Sequence, residues 1–164
     1  MNSKLLVTLA GSALIIVALA GCSTPAGDST PAAAAPTESS GAAVDAAVAS
    51  TTLGQIVVDG KGMTAYVFDK DVANSGKSAC VADCALLWPA ITSATTHPQV
   101  TGVTGTVGTI TGINGGMQIT INGLPIYQFS KDTAPGDVKG QDFKGIWHVL
   151  APTGVKIAKA AGGY

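Results

Sequence analysis

Along the chain, apolar positions come in short runs broken by Gly, Asn and Asp. Beyond residue 51 no extended stretch carries a helical period, whereas runs such as Gln55-Ile-Val-Val and Gln118-Ile-Thr-Ile stop at Asp59-Gly60 and Asn122-Gly123. Apolar, β-branched runs bounded by turn formers read as strands and hairpins. The pattern predicts an all-β domain with one short helical turn near 79–87. Its strands form a small sandwich or barrel.

Two of the runs are copies of each other. Tyr66, Phe68 and Asp71 each stand 61 positions before Tyr127, Phe129 and Asp132, giving Tyr-x-Phe-x-x-Asp twice. The Gln residues heading the copies are 63 apart, which places two extra residues in the first turn. Asn122-Gly123 is a hairpin turn that tolerates positive φ. It is expected to pair Ile121 with Leu124, Ile119 with Ile126 and Gln118 with Tyr127. The first copy, with a loop over Asp59 to Gly62, is expected to pair Val58 with Met63 and Gln55 with Tyr66. Alternation along the strands then sets Val58, Met63, Ala65 and Val67 opposite Tyr66 and Phe68. Ile119, Ile121, Leu124 and Ile126 oppose Tyr127 and Phe129 in the same way. Both faces are partly apolar, so the reading is that both are covered.

The N-terminus has a different character. Lys4 precedes an uncharged, mostly apolar run from Leu5 to Leu19, which ends in Leu19-Ala20-Gly21-Cys22. The run is too short and too rich in Gly, Ser and Ala for a membrane span of about 20 residues, and reads as a targeting segment. The four residues that close it resemble the lipobox of bacterial lipoproteins. The resemblance implies removal of residues 1–21 and acylation of Cys22, and more than one acyl chain there makes anchoring stable. Residues 22–50, rich in Ala, Pro, Ser and Thr, read as a disordered tether. Residues 51–164 then form the β domain, with one repeat over about 53–91 and the other over about 115–152.

Charge narrows the partners. Every basic residue is Lys, and without the leader the formal charge is −2. With no Arg and no basic stripe, recognition of phosphate or nucleic acid lacks its usual means. The expected partners are the membrane, through the lipid, and an envelope partner or ligand of unknown kind.

Cys80 and Cys84 are the domain's only thiols. Four apart on a helical turn, they fall within the Cα separation of about 4.4–6.8 Å that a disulfide allows, and export favours one. The alternative is a copper or electron-transfer site, since soft thiolates suit Cu(I). His97 or His148 would complete it, with Met63 and Met117 as further ligands. Asp71 and Asp132 read as turn formers rather than calcium ligands. Trp88 and Trp147 read as core, one per unit, with glycan stacking as the other possibility. No Ser or Cys sits in a nucleophile context and no acid pair stands out, so neither a catalytic residue nor a cofactor is expected.

Taken together, the lipobox, the doubled motif, Cys80-x-x-x-Cys84 running into Trp88-Pro89, and Pro135-Gly136-Asp137 followed by Gly145-x-Trp147 resemble the secreted-repeat lipoproteins of bacteria. The resemblance spans nearly all of Gly54 to Pro152. It implies an extracytoplasmic location and a repeated fold unit, and brings no reaction with it. The expected function is therefore a non-enzymatic binding or structural module of the cell envelope.

Overall fold

A computed structural model describes residues 43–158. The leader, Cys22 and most of the tether lie outside the described residues. The elements are β1 (Ala46–Thr51), β2 (Gly54–Asp59), β3 (Tyr66–Phe68), α1 (Asp83–Leu87), β4 (Thr92–Ser93), β5 (Val107–Thr111), β6 (Met117–Ile121), β7 (Leu124–Pro125) and β8 (Trp147–Val149). The fold is all-β, with the one helical turn falling inside the span the sequence marks. All strand pairs are antiparallel: β1 with β2, β3 with β8, and β6 with β4, β5 and β7.

The first strand corrects the tether boundary. Residues 46–50 were expected to be unstructured because Ala-Ala-Val-Ala-Ser has little to bury. Instead β1 pairs with β2 from Ala46↔Asp59 to Thr51↔Gly54, and Ala46 is completely buried. Small side chains here allow close approach: the Gly60 N–H bonds the Asp45 carbonyl, and the Asp45 N–H bonds the Gln99 carbonyl. Backbone pairing compensates for the meagre side chains.

Hairpin β6–β7 takes the expected register at Ile121–Leu124 and Ile119–Ile126, but the expected Gln118–Tyr127 pair does not form, since Gln118 pairs with Thr92 and Ile110 and Tyr127 with Tyr66 and Ala90. Its turn residues Asn122 and Gly123 have φ of 51° and 78°, a left-handed pair that Asn-Gly tolerates. The first copy differs from expectation by one residue. Val58 faces Thr64, not Met63, and the Ala65 N–H bonds the Val57 carbonyl. The cause is Asp59, whose Oδ1 accepts the N–H groups of both Lys61 and Met63 at 2.8 Å and widens the loop. Tyr66 pairs instead with Tyr127 and Val149, and the Gln55–Tyr66 partnership does not form.

A one-residue slip moves a strand's side chains to the opposite face, and it does so here. Ile56 and Val58 pack in the aromatic core with Tyr66 and Phe68. Val57 packs with Ala65, Val67, Ile119, Ile121, Ile126 and Leu150 in the aliphatic core. Val58 thus sits on the face opposite to the one expected. Both faces of the motif strands are covered, since Tyr66, Phe68, Tyr127 and Phe129 are all buried.

The two repeats are interleaved rather than side by side. β3 of the first pairs with β8 of the second, Tyr66↔Val149 to Phe68↔Trp147. Reciprocally, the segment after β7 pairs with the segment after α1: the Gln128 N–H bonds the Pro89 carbonyl, and the Ser130 N–H bonds the Leu87 carbonyl. Between them, Tyr66 and Tyr127 exchange N–H···O bonds of 2.8 and 2.9 Å. A local two-fold axis relating the repeats passes through that pair.

Candidate functional site

The motif residues meet at this axis and cross it. The Tyr66 hydroxyl donates to Asp132 Oδ2 at 2.6 Å, and the Tyr127 hydroxyl donates to Asp71 Oδ2 at 2.7 Å. Each repeat's tyrosine is thus held by the other repeat's aspartate. The second oxygens bind loop backbone: Asp71 Oδ1 accepts the Ala79 N–H at 2.7 Å, and Asp132 Oδ1 accepts the Lys139 N–H at 3.0 Å. These bonds reach eight and seven residues along the chain, so they tie down loops and are not the short turn bonds expected of these acids. The other oxygen of each joins the repeats.

Each hydroxyl has one more partner. The Gly140 N–H donates to the Tyr66 oxygen at 3.2 Å, and Ser78 Oγ lies 2.7 Å from that of Tyr127. Gly140 leaves no room for a side chain, because a Cβ there would come within 2.8 Å of the Tyr66 and Trp88 rings. Among the described residues, no buried side-chain nitrogen or oxygen lacks a hydrogen-bond partner.

The phenylalanines cross the axis as well. Phe68 stacks on Trp147 at 4.2 Å between centroids, Trp147 on Trp88 at 3.8 Å, and Trp88 on Phe129 at 4.3 Å. The four rings form one column in which each motif Phe covers the other repeat's Trp. Both faces of Trp88 and of Trp147 are therefore occupied, and both residues are buried. They are core, and neither offers an open face to a sugar.

Burial sets the electrostatics. It pushes the Asp71 and Asp132 carboxyls above the usual range, and the hydrogen bonds from Ala79 and Tyr127, and from Tyr66 and Lys139, offset this only in part. Burial, then the bond to Asp132, drives the Tyr66 hydroxyl far up. In Tyr127 burial again leads, opposed by Ser78 and reinforced by Asp71. Both tyrosines remain protonated donors. Asp69 behaves oppositely at the surface. Its slight burial pushes it up, but bonds from Lys156 (2.7 Å) and His148 (3.1 Å) together carry it below its ordinary value.

A carboxyl with a raised folded pKa binds protons more tightly when folded. Its contribution to stability is therefore largest at low pH and falls as pH rises through the folded pKa. Relative to Asp71→Asn, the wild-type chain should gain stability between about pH 7 and about pH 4, where ordinary carboxyls begin to protonate. Urea midpoints of the two proteins across that interval check this. A constant difference would mean that burial does not control Asp71.

Cys80 and Cys84 form a disulfide, Cα atoms 5.2 Å apart, at the start of α1. It follows directly on Ser78 and Ala79, the partners of Tyr127 and Asp71. His97 is exposed, its Nδ1 3.1 Å from Thr96 Oγ1. His148 lies on β8 against Asp69. The structure does not bring either His to the cysteines, and among the described residues no three His, Cys, Asp or Glu side chains form a metal-binding group. Beside the disulfide, between α1 and the β5–β6 turn, lies a cleft of about 160 Å³ that reaches Trp88 and Tyr127. Four residues of the sequence motifs, Cys80, Trp88, Pro89 and Tyr127, line it.

A protein-family model described as a secreted repeat of unknown function matches residues 47–92 and again 108–151, more than half of the chain. The chain belongs to this family. The secreted repeat described here is matched by no curated protein and by no solved structure. The two matched stretches start with β1 and β5, so each includes the hairpin ahead of its motif. No helix among the described residues is long and apolar enough to cross a membrane.

Proposed function

We propose that this secreted repeat is a lipid-anchored module at the extracytoplasmic face of a bacterial membrane, serving the envelope by binding or structural support and not by catalysis. The observation that carries the proposal is Leu19-Ala20-Gly21-Cys22 at the end of an apolar leader. Small residues at 20 and 21 suit a peptidase cleft, and the thiol behind them is the acyl acceptor. The leader is followed by Ala/Pro/Ser/Thr-rich chain up to β1, a spacer that lets a folded domain stand clear of a surface.

The domain's own chemistry supports the non-catalytic reading. Asp71 and Asp132, its buried motif acids, are consumed by bonds to tyrosines and loop backbone. The cysteines are bonded to each other. What holds the fold together is the same set of groups that a reaction would need free.

The test is metabolic labelling with an alkyne-bearing fatty acid in a bacterium that processes lipoproteins. The full chain should take up label and fractionate with membranes. Cys22→Ser should abolish both while the chain is still made. Labelling that survives Cys22→Ser, or a wild-type chain that carries none, would overturn the anchor.

A further inference from the structure

The cleft between α1 and the β5–β6 turn lies to one side of the two-fold axis, and the two sides are built differently. In the first repeat, the β1–β2 turn is tight and Leu53 packs on the aromatic core. In the second, the corresponding turn runs through residues 112–116. Its apolar residue, Ile113, stays 47 % exposed and lines the cleft instead of filling it. On the opposite wall the disulfide loop and Ala85 of α1 face it. One half of a near-symmetric fold is plugged and the other is left open.

The lining defines what would fit. It contains no charged side chain: its polar groups are Ser78, Thr92, Asn114, Gln118 and Tyr127, all neutral. The larger cavity near β2 is different, with Asp45, Asp59 and Lys61 on its walls. Burying a charge without a partner is costly, so the cleft selects an uncharged molecule. Its size, about 160 Å³, is close to that of an engineered apolar cavity of about 150 Å³ that admits benzene.

Trp88 decides the shape. With both faces covered by Trp147 and Phe129, it can offer the cleft only its edge. An aromatic edge carries positive charge and receives the face of another ring. Thr92 and Asn114 make no side-chain hydrogen bond among the described residues and are available to a polar substituent, and a hydroxyl such as that of Tyr127 has two lone pairs to accept with.

We propose that this cleft binds a neutral, single-ring aromatic molecule bearing a hydroxyl, its ring against the Trp88 edge and its hydroxyl toward Thr92 and Asn114. The inference rests on reading the chain as a binding module, and is independent of the lipid.

The test uses the full chain carrying Cys22→Ser, labelled with nitrogen-15, and phenol as the probe. Phenol should produce saturable amide shifts at Ala85, Gly116 and Tyr127, with a dissociation constant on the order of 1 mM. Benzoate and benzylammonium, the same ring with a charge of either sign, should bind at least about tenfold more weakly. Gly116 borders the cleft, and a Cβ there would meet only Thr92, at 3.8 Å. Gly116→Leu should therefore fill the space and abolish the phenol shifts while leaving the rest of the spectrum folded. If that variant does not fold, Ala85→Leu fills the cleft from the other wall. Absence of saturable shifts with phenol, equal binding of the charged analogues, or shifts that persist in a folded filled variant would overturn the site. None of these outcomes bears on acylation of Cys22, which the labelling experiment reads separately.

Discussion

Trp88→Ala is expected to bring the domain to the edge of unfolding, with a loss of about 3–5 kcal/mol. Trp88 is 2 % exposed and makes ring contacts with Tyr66, Phe129, Phe143 and Trp147. Truncation would leave a cavity in the middle of the four-ring column, where neither repeat can close on the gap without moving the other. A domain of this size has only about 5–15 kcal/mol in total, so the loss is a large fraction of it. The midpoint of thermal unfolding should fall by roughly 15–25 °C. The fluorescence of Trp147, then the sole remaining tryptophan, reports it directly. Leu86→Ala is the control: Leu86 is 77 % exposed on α1, and its removal should change stability by no more than about 0.5 kcal/mol. A Trp88→Ala protein that melts within a few degrees of wild type would mean that the column is not the centre of the core.

The second large effect concerns the repeats themselves. Produced separately, residues 43–103 and 104–158 should each lack a dispersed NMR spectrum, and an equimolar mixture should recover one. The first fragment alone has β3 without its partner β8, Tyr66 without Asp132, and Phe68 without Trp147. The second has the mirror-image deficits: Tyr127 without Asp71 and Phe129 without Trp88. A buried hydroxyl or carboxylate left without its partner costs about 1–3 kcal/mol or more, and each half carries several. Tyr66→Phe in the first fragment should weaken reassembly, because it leaves Asp132 with one acceptor oxygen unmatched. A dispersed, cooperatively melting spectrum from either fragment alone would contradict the interleaved arrangement.

Which parts of this were legible in the sequence follows from the range of the forces involved. Local signals read true. Asn122-Gly123 gave its hairpin and register, the four-residue spacing of the cysteines matched a disulfide, and the helical turn fell where expected. The repeat was visible because Tyr, Phe and Asp return at a fixed interval. The register of the first hairpin was not, because the recurring Gln suggested an equivalence that Asp59 overrides by capping two loop N–H groups. In the structure Gln118 is buried whereas Gln55 is exposed, so the match between them has no counterpart in space. β1 is not legible, since its small residues carry no pattern and its pairing depends on β2. Nor does any local feature reveal that each tyrosine bonds the other copy's aspartate. Within one copy the Tyr and Asp lie five residues apart, which invites a local reading, and only the chain's return across the axis brings the true partners together. The cleft is harder still to foresee, being the absence of a plug.

The reciprocal bonds have the form of an isologous dimer interface, in which residue i of one subunit meets residue j of the other and the reverse contact is made as well. Tyr66–Asp132 and Tyr127–Asp71 are such a pair, joined here by a single polypeptide. In two identical subunits every substitution appears twice, so a change that opens a space on one side opens it on both. Covalent joining removes that restriction. Sequence drift can then act on one copy while its twin preserves the contacts on which both depend. The tight turn at Leu53 and the extended one at Ile113 use that freedom: the bonds at the axis are alike on both sides, and the turns at the periphery differ.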